Sequence, residues 1–184
     1  MAPPPLDDQS RVLLDVVQRL DREGIPYMLS GSVALSAYVR PRMTRDIDIV
    51  IDVEPGRLDA LLRAFHAGYY LDVEAARRAV TERRLVNAVH EETLVKVDLV
   101  VRKDEPFRKV EFDRREAVSV HGRNVRIVSR EDLLLSKVIW GRESGSAVQI
   151  NDARQLAGLP LDWSYVDQWA AVLNVSEAVR GLRP

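Results

Sequence analysis

The sequence predicts an α/β (α+β) protein: a small mixed sheet flanked by helices, with a helical segment at its C-terminal end. Three observations predict it. Val12, Leu13, Val16, Val17 and Leu20 recur at helical spacing. Short runs rich in Val and Ile, above all Ile47-Asp48-Ile49-Val50-Ile51 and Val95-Lys96-Val97-Asp98-Leu99-Val100-Val101, read as strands. After Ser129 the strand signals stop and helical spacing takes over.

Taken in order, Asp7, Asp8 and Ser10 are capping candidates for a helix over 6–23, which Gly24 and Pro26 end. Tyr27-Met28-Leu29 is a short strand running into Ser30-Gly31-Ser32, and a short helix over 33–39 is stopped by Pro41. Residues 40–45 form a basic loop and 46–53 a strand. Pro55-Gly56 opens a helix to about residue 67, with Leu58, Leu61, Leu62 and Phe65 on one face. A strand over 69–72 and a helix over 73–81 follow. Residues 85–90 and 93–101 pair as a hairpin through Glu91-Glu92, and 103–108 is a loop. A second hairpin, 116–121 with 124–128, turns at Gly122-Arg123. Ser129-Arg130-Glu131-Asp132 starts a helix that Leu133, Leu134, Val138 and Ile139 continue. Residues 147–182 are helices broken near Gly158–Pro160 and at Asn174, with Trp140, Trp163 and Trp169 expected to pack this tail. The division expected is a core over 1–128 and a C-terminal helical segment over 129–184 packed on it.

Composition sets bounds. A chain of 184 residues that is 46% hydrophobic and 30% charged buries an ordinary core. A net charge of −1 points to no partner by itself, so any nucleotide or nucleic-acid contact must come from a local basic patch. The absence of cysteine excludes disulfides and thiolate metal sites. The first eight residues have neither a basic nor an apolar signal region, and no apolar run approaches the ~18–20 residues of a membrane span, so we expect a cytoplasmic protein without membrane contact.

The acids carry the chemistry. In a strand, residues i and i+2 share a face, so Asp46 and Asp48 project side by side while Ile47, Ile49 and Ile51 enter the core. Adjacent like charges weaken an otherwise good strand. A divalent cation is the simplest compensation. Asp98 interrupts a second apolar strand. If the two strands lie side by side, three carboxylates converge on a surface suited to Mg²⁺, which takes oxygen ligands and keeps positions for water and phosphate. Two such ions activate an attacking oxygen and stabilise a leaving pyrophosphate. Gly31-Ser32 at the strand–helix turn adds close backbone approach, a hydroxyl and free N–H groups for a phosphate. Each feature alone has a bland alternative: a plain turn for Gly31-Ser32, a solvated strand charge for each acid. Their order on successive strand-like runs favours one site.

These residues resemble the nucleotidyltransferase (DNA polymerase β-like) superfamily. The resemblance rests on Leu29-Ser30-Gly31-Ser32-Val33-Ala34-Leu35, then Arg42-Met43-Thr44-Arg45-Asp46-Ile47-Asp48-Ile49, then Val97-Asp98-Leu99, over roughly residues 27–101. The lead-in to Asp46 and the tail, Glu131 to Lys137 followed by Asn151-Asp152-Ala153, are similar to small bacterial proteins grouped with the AbiEii-type toxins. The resemblance implies the nucleotidyltransferase fold. It implies that Gly31 and Ser32 bind the triphosphate of an NTP, that Asp46 and Asp48 bind both metals (Mg²⁺ or Mn²⁺), and that Asp98 completes the metal site and helps deprotonate the acceptor hydroxyl. Lys137 matches a phosphate-contacting lysine and Asp152 a later acid of open role. Arg45, with Arg40 and Arg42, is either a nucleotide-contacting loop or a surface loop. Arg77, Arg78, Arg83 and Arg84 are a solvated face or an RNA patch. Lys96 shares parity with Asp98, and a surface lysine is the simpler reading. Asp52 ends its strand. His66, His90 and His121 lack ligand spacing and are read as structural or exposed.

The expected activity is transfer of a nucleoside monophosphate from an NTP to an acceptor hydroxyl or phosphate, releasing pyrophosphate. The alternatives are a toxin of a toxin–antitoxin pair that modifies tRNA or protein, an antibiotic-modifying enzyme with a small-molecule acceptor, and a nucleotide-binding module without turnover. No P-loop or GxGxxG motif supports a kinase, ATPase or dehydrogenase.

Overall fold

A computed structural model describes residues 6–40, 44 and 46–183. Its centre is a mixed sheet of seven strands in the order β3-β4-β5-β2-β1-β7-β6. The strands are β1 (Tyr27–Leu29), β2 (Asp46–Ile51), β3 (Tyr69–Leu71), β4 (Leu85–His90), β5 (Lys96–Val101), β6 (Glu116–Val120) and β7 (Arg123–Ile127). β2 lies between β1, antiparallel to it, and β5, parallel to it. β4 pairs antiparallel with β5.

Strand parity divides the sheet into two faces. Ile47, Ile49 and Ile51 of β2 and Val97, Leu99 and Val101 of β5 are fully buried. Each contributes on the order of 1.5–3 kcal/mol by leaving water. The same core takes Val16, Val17 and Leu20 of helix α1 (Asp8–Arg22) and Leu61 of α3 (Leu58–Ala64). Asp7 caps α1 by accepting from the Ser10 N–H, as its position before the apolar stripe suggests. The even-numbered residues of β2 and β5 face the other way, and the site lies there.

The element order follows the sequence reading with three differences. The helix after β1, α2 (Gly31–Leu35), starts two residues earlier than expected, at Gly31 itself. The helix expected from Pro55 begins as a single tight turn over Pro55–Arg57 before α3, and stops at residue 64. The third difference is larger. Part of the expected loop over 103–108 is the start of a helix, α5 (Pro106–Asp113). Pro106 occupies its first turn, where its missing N–H costs nothing. Its inner face is Phe107, Glu111 and Phe112, so a buried carboxyl stands where helical spacing would have an apolar residue.

The chain then runs through α6 (Arg130–Ser144), α7 (Ala147–Ala157), α8 (Trp163–Val172) and α9 (Ser176–Arg180). Ser129 caps α6 by accepting from the Asp132 N–H. Asp132 itself is fully buried. It accepts from Ser129 Oγ at 2.6 Å, from Arg114 Nε at 3.0 Å and from the Tyr165 hydroxyl. The Arg114 guanidinium stacks 3.8 Å from the centre of the Tyr165 ring. One carboxylate thus ties the end of α5, the start of α6 and α8 together. On the far half of α6, a Cβ on Gly141 would meet Ile150 of α7 at 2.6 Å, so that glycine sets how closely the two helices pack.

Because this carboxylate is buried and its partners are its compensation, Asp132→Ala leaves Arg114 and Tyr165 without their acceptor. A loss of about 3–5 kcal/mol is expected, measured by urea denaturation. A loss under about 1 kcal/mol would mean that the network does not hold α6 in place.

Candidate active site

The parallel register of β2 on β5 sets Asp46 beside Lys96, Asp48 beside Asp98 and Val50 beside Val100. The antiparallel register of β4 on β5 continues all three rows, with Val89 beside Lys96, Asn87 beside Asp98 and Leu85 beside Val100. Asp48 and Asp98 are therefore neighbours on adjacent strands, facing the same side. Burial first, and then the Asp98 charge, pushes the Asp48 carboxyl above the usual carboxylate range; the Lys137 ammonium and the Ser32 backbone N–H oppose that rise.

Gly31 forms the wall behind Asp48. Its φ is +61°, and a Cβ there would lie 1.9 Å from Asp48 Oδ2. Glycine is thus required twice, by its backbone conformation and by the carboxylate pressed against it. The Ser30 N–H donates to the Asp48 carbonyl at 2.9 Å. The Gly31-Ser32 turn therefore orients an acid of the site.

Asp98 accepts from Asn87 Nδ2 at 2.7 Å and from Lys96 Nζ at 3.2 Å, and Lys96 Nζ is 3.0 Å from its other carboxylate oxygen. Its bond to Asp98 holds the Lys96 ammonium above its usual range. Lys96, expected as a surface lysine, is a partner of the site. Asp46 is exposed, one row from the pair, and the Asp48 carboxyl senses its charge. Among the described residues, however, no three acids close around a common metal position. The expected three-carboxylate convergence takes the form of a closely registered pair with a third acid beside it, because two residues of strand separate Asp46 from Asp48.

Above the pair lies a cavity of about 340 Å³, walled by the sheet on one side and by α5 and α6 on the other. Its volume is in the range of ligand sites. Lys137 reaches it from α6. That lysine is fully buried, 2.9 Å from Asp152 Oδ2 on α7, which is equally buried. The contact is ionic in geometry, and among the described residues no hydrogen-bond acceptor is directed at Nζ. Asp152, expected to be a capping or exposed acid if not functional, is instead the counter-charge of Lys137.

The structure adds residues that the sequence reading missed. Glu111 of α5 lines the cavity and is 3% exposed. It accepts from Ser136 Oγ at 2.6 Å and from Arg108 Nη1 at 2.8 Å. Burial pushes its carboxyl up, against the pull of Arg108 and Ser136. Trp140 is a correction: it does not pack the tail but stands 51% exposed at the cavity. Trp169 does pack, against Phe107 at 5.4 Å. Asp52 pairs with Arg102 at 3.0 Å, consistent with its place at a strand end. Arg77 and Arg84 pair with Glu74 and Glu82, and Arg83 donates to the Arg102 carbonyl. His66 and His90 make short local contacts within their own segments. Arg40 is exposed, and Arg42 and Arg45 lie outside the described residues.

With this geometry in hand, the comparisons are informative. The family model described as nucleotidyl transferase AbiEii toxin of a type IV toxin–antitoxin system matches residues 13–140. The chain belongs to this AbiEii nucleotidyltransferase family. The match spans β1 through most of α6 and so includes Gly31, the acid pair and Lys137. No curated protein matches the chain. Among solved structures, an antigenic nucleotidyltransferase-like protein from Paracoccidioides brasiliensis superposes with a TM-score of 0.63 at 19% identity, covering 97% of this chain and 95% of that one. ANT(2'')-Ia in complex with adenylyl-2''-tobramycin gives 0.62 at 16% identity, over 91% and 98%. The lincomycin-bound lincosamide antibiotic adenylyltransferase LnuA gives 0.56 at 15%, over 85% and 100%. At these identities the likeness establishes the nucleotidyltransferase fold. Among the described residues no helix is long and apolar enough to cross a membrane.

The Lys137–Asp152 pair separates structural from chemical roles. Lys137→Met removes the buried counter-charge of Asp152 and is expected to cost about 3–5 kcal/mol. Lys137→Met with Asp152→Leu removes both charges and is expected to recover most of that stability in a melting experiment, while nucleotide binding stays lost. Recovery of binding along with stability would show that the lysine serves packing alone.

Proposed function

We propose that this chain transfers a nucleoside monophosphate from an NTP to an acceptor and releases pyrophosphate. The observation that carries the reading is the in-register pair Asp48 and Asp98, backed by Gly31, at the floor of a cavity that the buried Lys137 also lines. Two adjacent, half-buried carboxylates favour a cation between them. Their donor chemistry, all oxygen, fits Mg²⁺ or Mn²⁺ held by one or two carboxylates together with substrate phosphates. Asp48 and Asp98 would hold it, with Asp46 at the edge of the site. When bound, the cation supplies Lewis-acid stabilisation of the charge on the transferred phosphoryl group.

The remaining roles belong to the chain. Gly31 lets the Asp48 carboxylate press against the turn, and the Ser32 N–H keeps Asp48 oriented toward the triphosphate. Lys137 neutralises phosphate charge from the α6 side, held in place by Asp152. The acceptor oxygen attacks the α-phosphorus, the bond to the bridging oxygen breaks, and pyrophosphate leaves with that electron pair. Asp98 takes the acceptor's proton. Asn87 and Lys96 hold Asp98 in the plane needed for that step. Catalysis is then positioning plus electrostatics, as expected for transfer at phosphorus. An NTP donor and a chain without cysteine fit a cytoplasmic reaction.

Membership in the AbiEii family supports a second layer to this reading, a toxin that modifies tRNA or protein and is held in check by an antitoxin partner. The fold neighbours solved with tobramycin and lincomycin ligands support a small-molecule acceptor instead. The acid pair serves either acceptor, and it argues against a binding module without turnover.

Asp48→Asn keeps the shape and removes one negative ligand. It is expected to reduce pyrophosphate release from labelled NTP, assayed with total RNA and total protein as acceptors, by roughly 100-fold or more with the fold retained. Transfer at the wild-type rate would overturn the site.

A further inference from the structure

The site face of the sheet changes character along its strands. One row is polar, Asp48, Asp98 and Asn87; the next is apolar, Val50, Val100 and Leu85. The rows are two residues apart, or about 6.6 Å of strand. In the opposite direction the neighbouring row is mixed, with Asp46 and Lys96 charged and Val89 of β4 beside them. An unbroken apolar row across β2, β5 and β4 is therefore offered on one side of the acid pair only.

Across the cavity from this row stands Trp140 of α6. Trp140 is 51% exposed and Leu85 48%, and both line the same cavity. Large apolar side chains left open to water inside a concave site are unfavourable until something covers them. The position of Trp140 is set by its neighbour: Gly141 packs so closely on Ile150 of α7 that this part of α6 has little freedom. No polar side chain belongs to the row formed by Val50, Val100 and Leu85.

We propose that this slot, between the Val50–Val100–Leu85 row and Trp140, holds the nucleobase of the NTP, and that Trp140 sets nucleotide affinity without selecting a base. The assignment rests on the nucleotidyl-transfer reading. A nucleotide whose α-phosphate lies at the acid pair carries its base one ribose away, and the apolar row is the surface at that reach. Every base has a π-face, whereas the Val and Leu of this row have no donor or acceptor with which to read base edges, and the cations of the same cavity, Arg102, Lys103 and Arg108, are each already paired with a carboxylate, Asp52, Glu105 and Glu111. The slot therefore accepts purines and pyrimidines alike. An apolar acceptor in the same slot is the competing occupant, and the experiment separates the two.

The test measures equilibrium binding of the four NTPs as non-hydrolysable α,β-linked analogues, and of inorganic tripolyphosphate, all with Mg²⁺. The full chain is compared with Trp140→Ala, Trp140→Phe and Asp48→Asn. Trp140 is half exposed, so its replacement should leave the melting temperature near wild type. The proposal expects Trp140→Ala to weaken all four nucleotides by roughly 5- to 100-fold and to leave tripolyphosphate binding unchanged, with Trp140→Phe restoring most of the affinity. It expects the four wild-type affinities to fall within about tenfold of one another, since stacking is tolerant of sequence. Nucleotide binding by Trp140→Ala at wild-type strength, or an equal loss of tripolyphosphate, would overturn the slot. Asp48→Asn reports on the underlying reading: it should weaken nucleotide and tripolyphosphate together, and wild-type binding of both would overturn the acid site itself.

Discussion

Everything at this site turns on two carboxylates forced into register. The parallel pairing of β2 with β5 sets Asp48 beside Asp98, and the buried residues on the opposite face, Ile47, Ile49, Val97 and Leu99, oppose a one-residue slip that would part them. A shift of β2 by one residue would turn Ile47, Ile49 and Ile51 to the cavity and Asp46 and Asp48 into the core. The hydrophobic core thus fixes an electrostatic conflict in place. The Asp48 carboxyl is raised by burial and by Asp98, so the folded chain binds that proton more tightly than the unfolded chain does. Ionising Asp48 consequently costs stability as pH rises through its raised value, and the cost is absent below the unfolded value.

The surroundings manage that conflict without removing it. Lys96 and Asn87 engage Asp98, the Ser32 N–H engages Asp48, and Lys137 approaches with its own charge already matched by Asp152. Matching Lys137 to Asp152 lets a cation remain buried close to the acids. The network around Asp132 holds α6 over the sheet, so that Lys137 and Trp140 both line the cavity. Stability and chemistry meet in α6: one end is capped and clamped by Ser129 and Asp132, the middle carries Lys137, and the far end is packed through Gly141.

Strand parity placed Asp46, Asp48 and Asp98 on one face correctly, because period two survives in any sheet. Their register could not be read from the chain, since strand order and pairing are set by tertiary packing. The same limit hid the partnership of Lys96 and Asn87 with Asp98. Helix α5 was missed because its inner face includes Glu111, a charged residue at a core position; only the Arg108 and Ser136 partners, one of them on another helix, make that burial tolerable. Pro106 was the signal available for it, as a residue suited to a helical first turn. Trp140 was misplaced because aromatic residues at helical spacing are ordinarily core, and nothing local marks the one that faces a cavity. The pairing of Lys137 with Asp152 joins two helices across 15 residues, whose packing depends on Gly141. The family resemblance had marked both positions, while the residues alone offered only two charges on helices.

The central claim is that the Asp48–Asp98 pair is an electrostatic cost of the empty fold that Mg²⁺ and nucleotide offset. Thermal melting of the wild type and of Asp48→Asn, each with and without Mg²⁺ and a non-hydrolysable NTP analogue, tests it most directly. The account predicts that Asp48→Asn without ligand melts no lower than the wild type, and that the stabilisation by Mg²⁺ and nucleotide seen in the wild type is lost. A variant that melts well below the wild type, yet keeps the full ligand-induced shift, would contradict it.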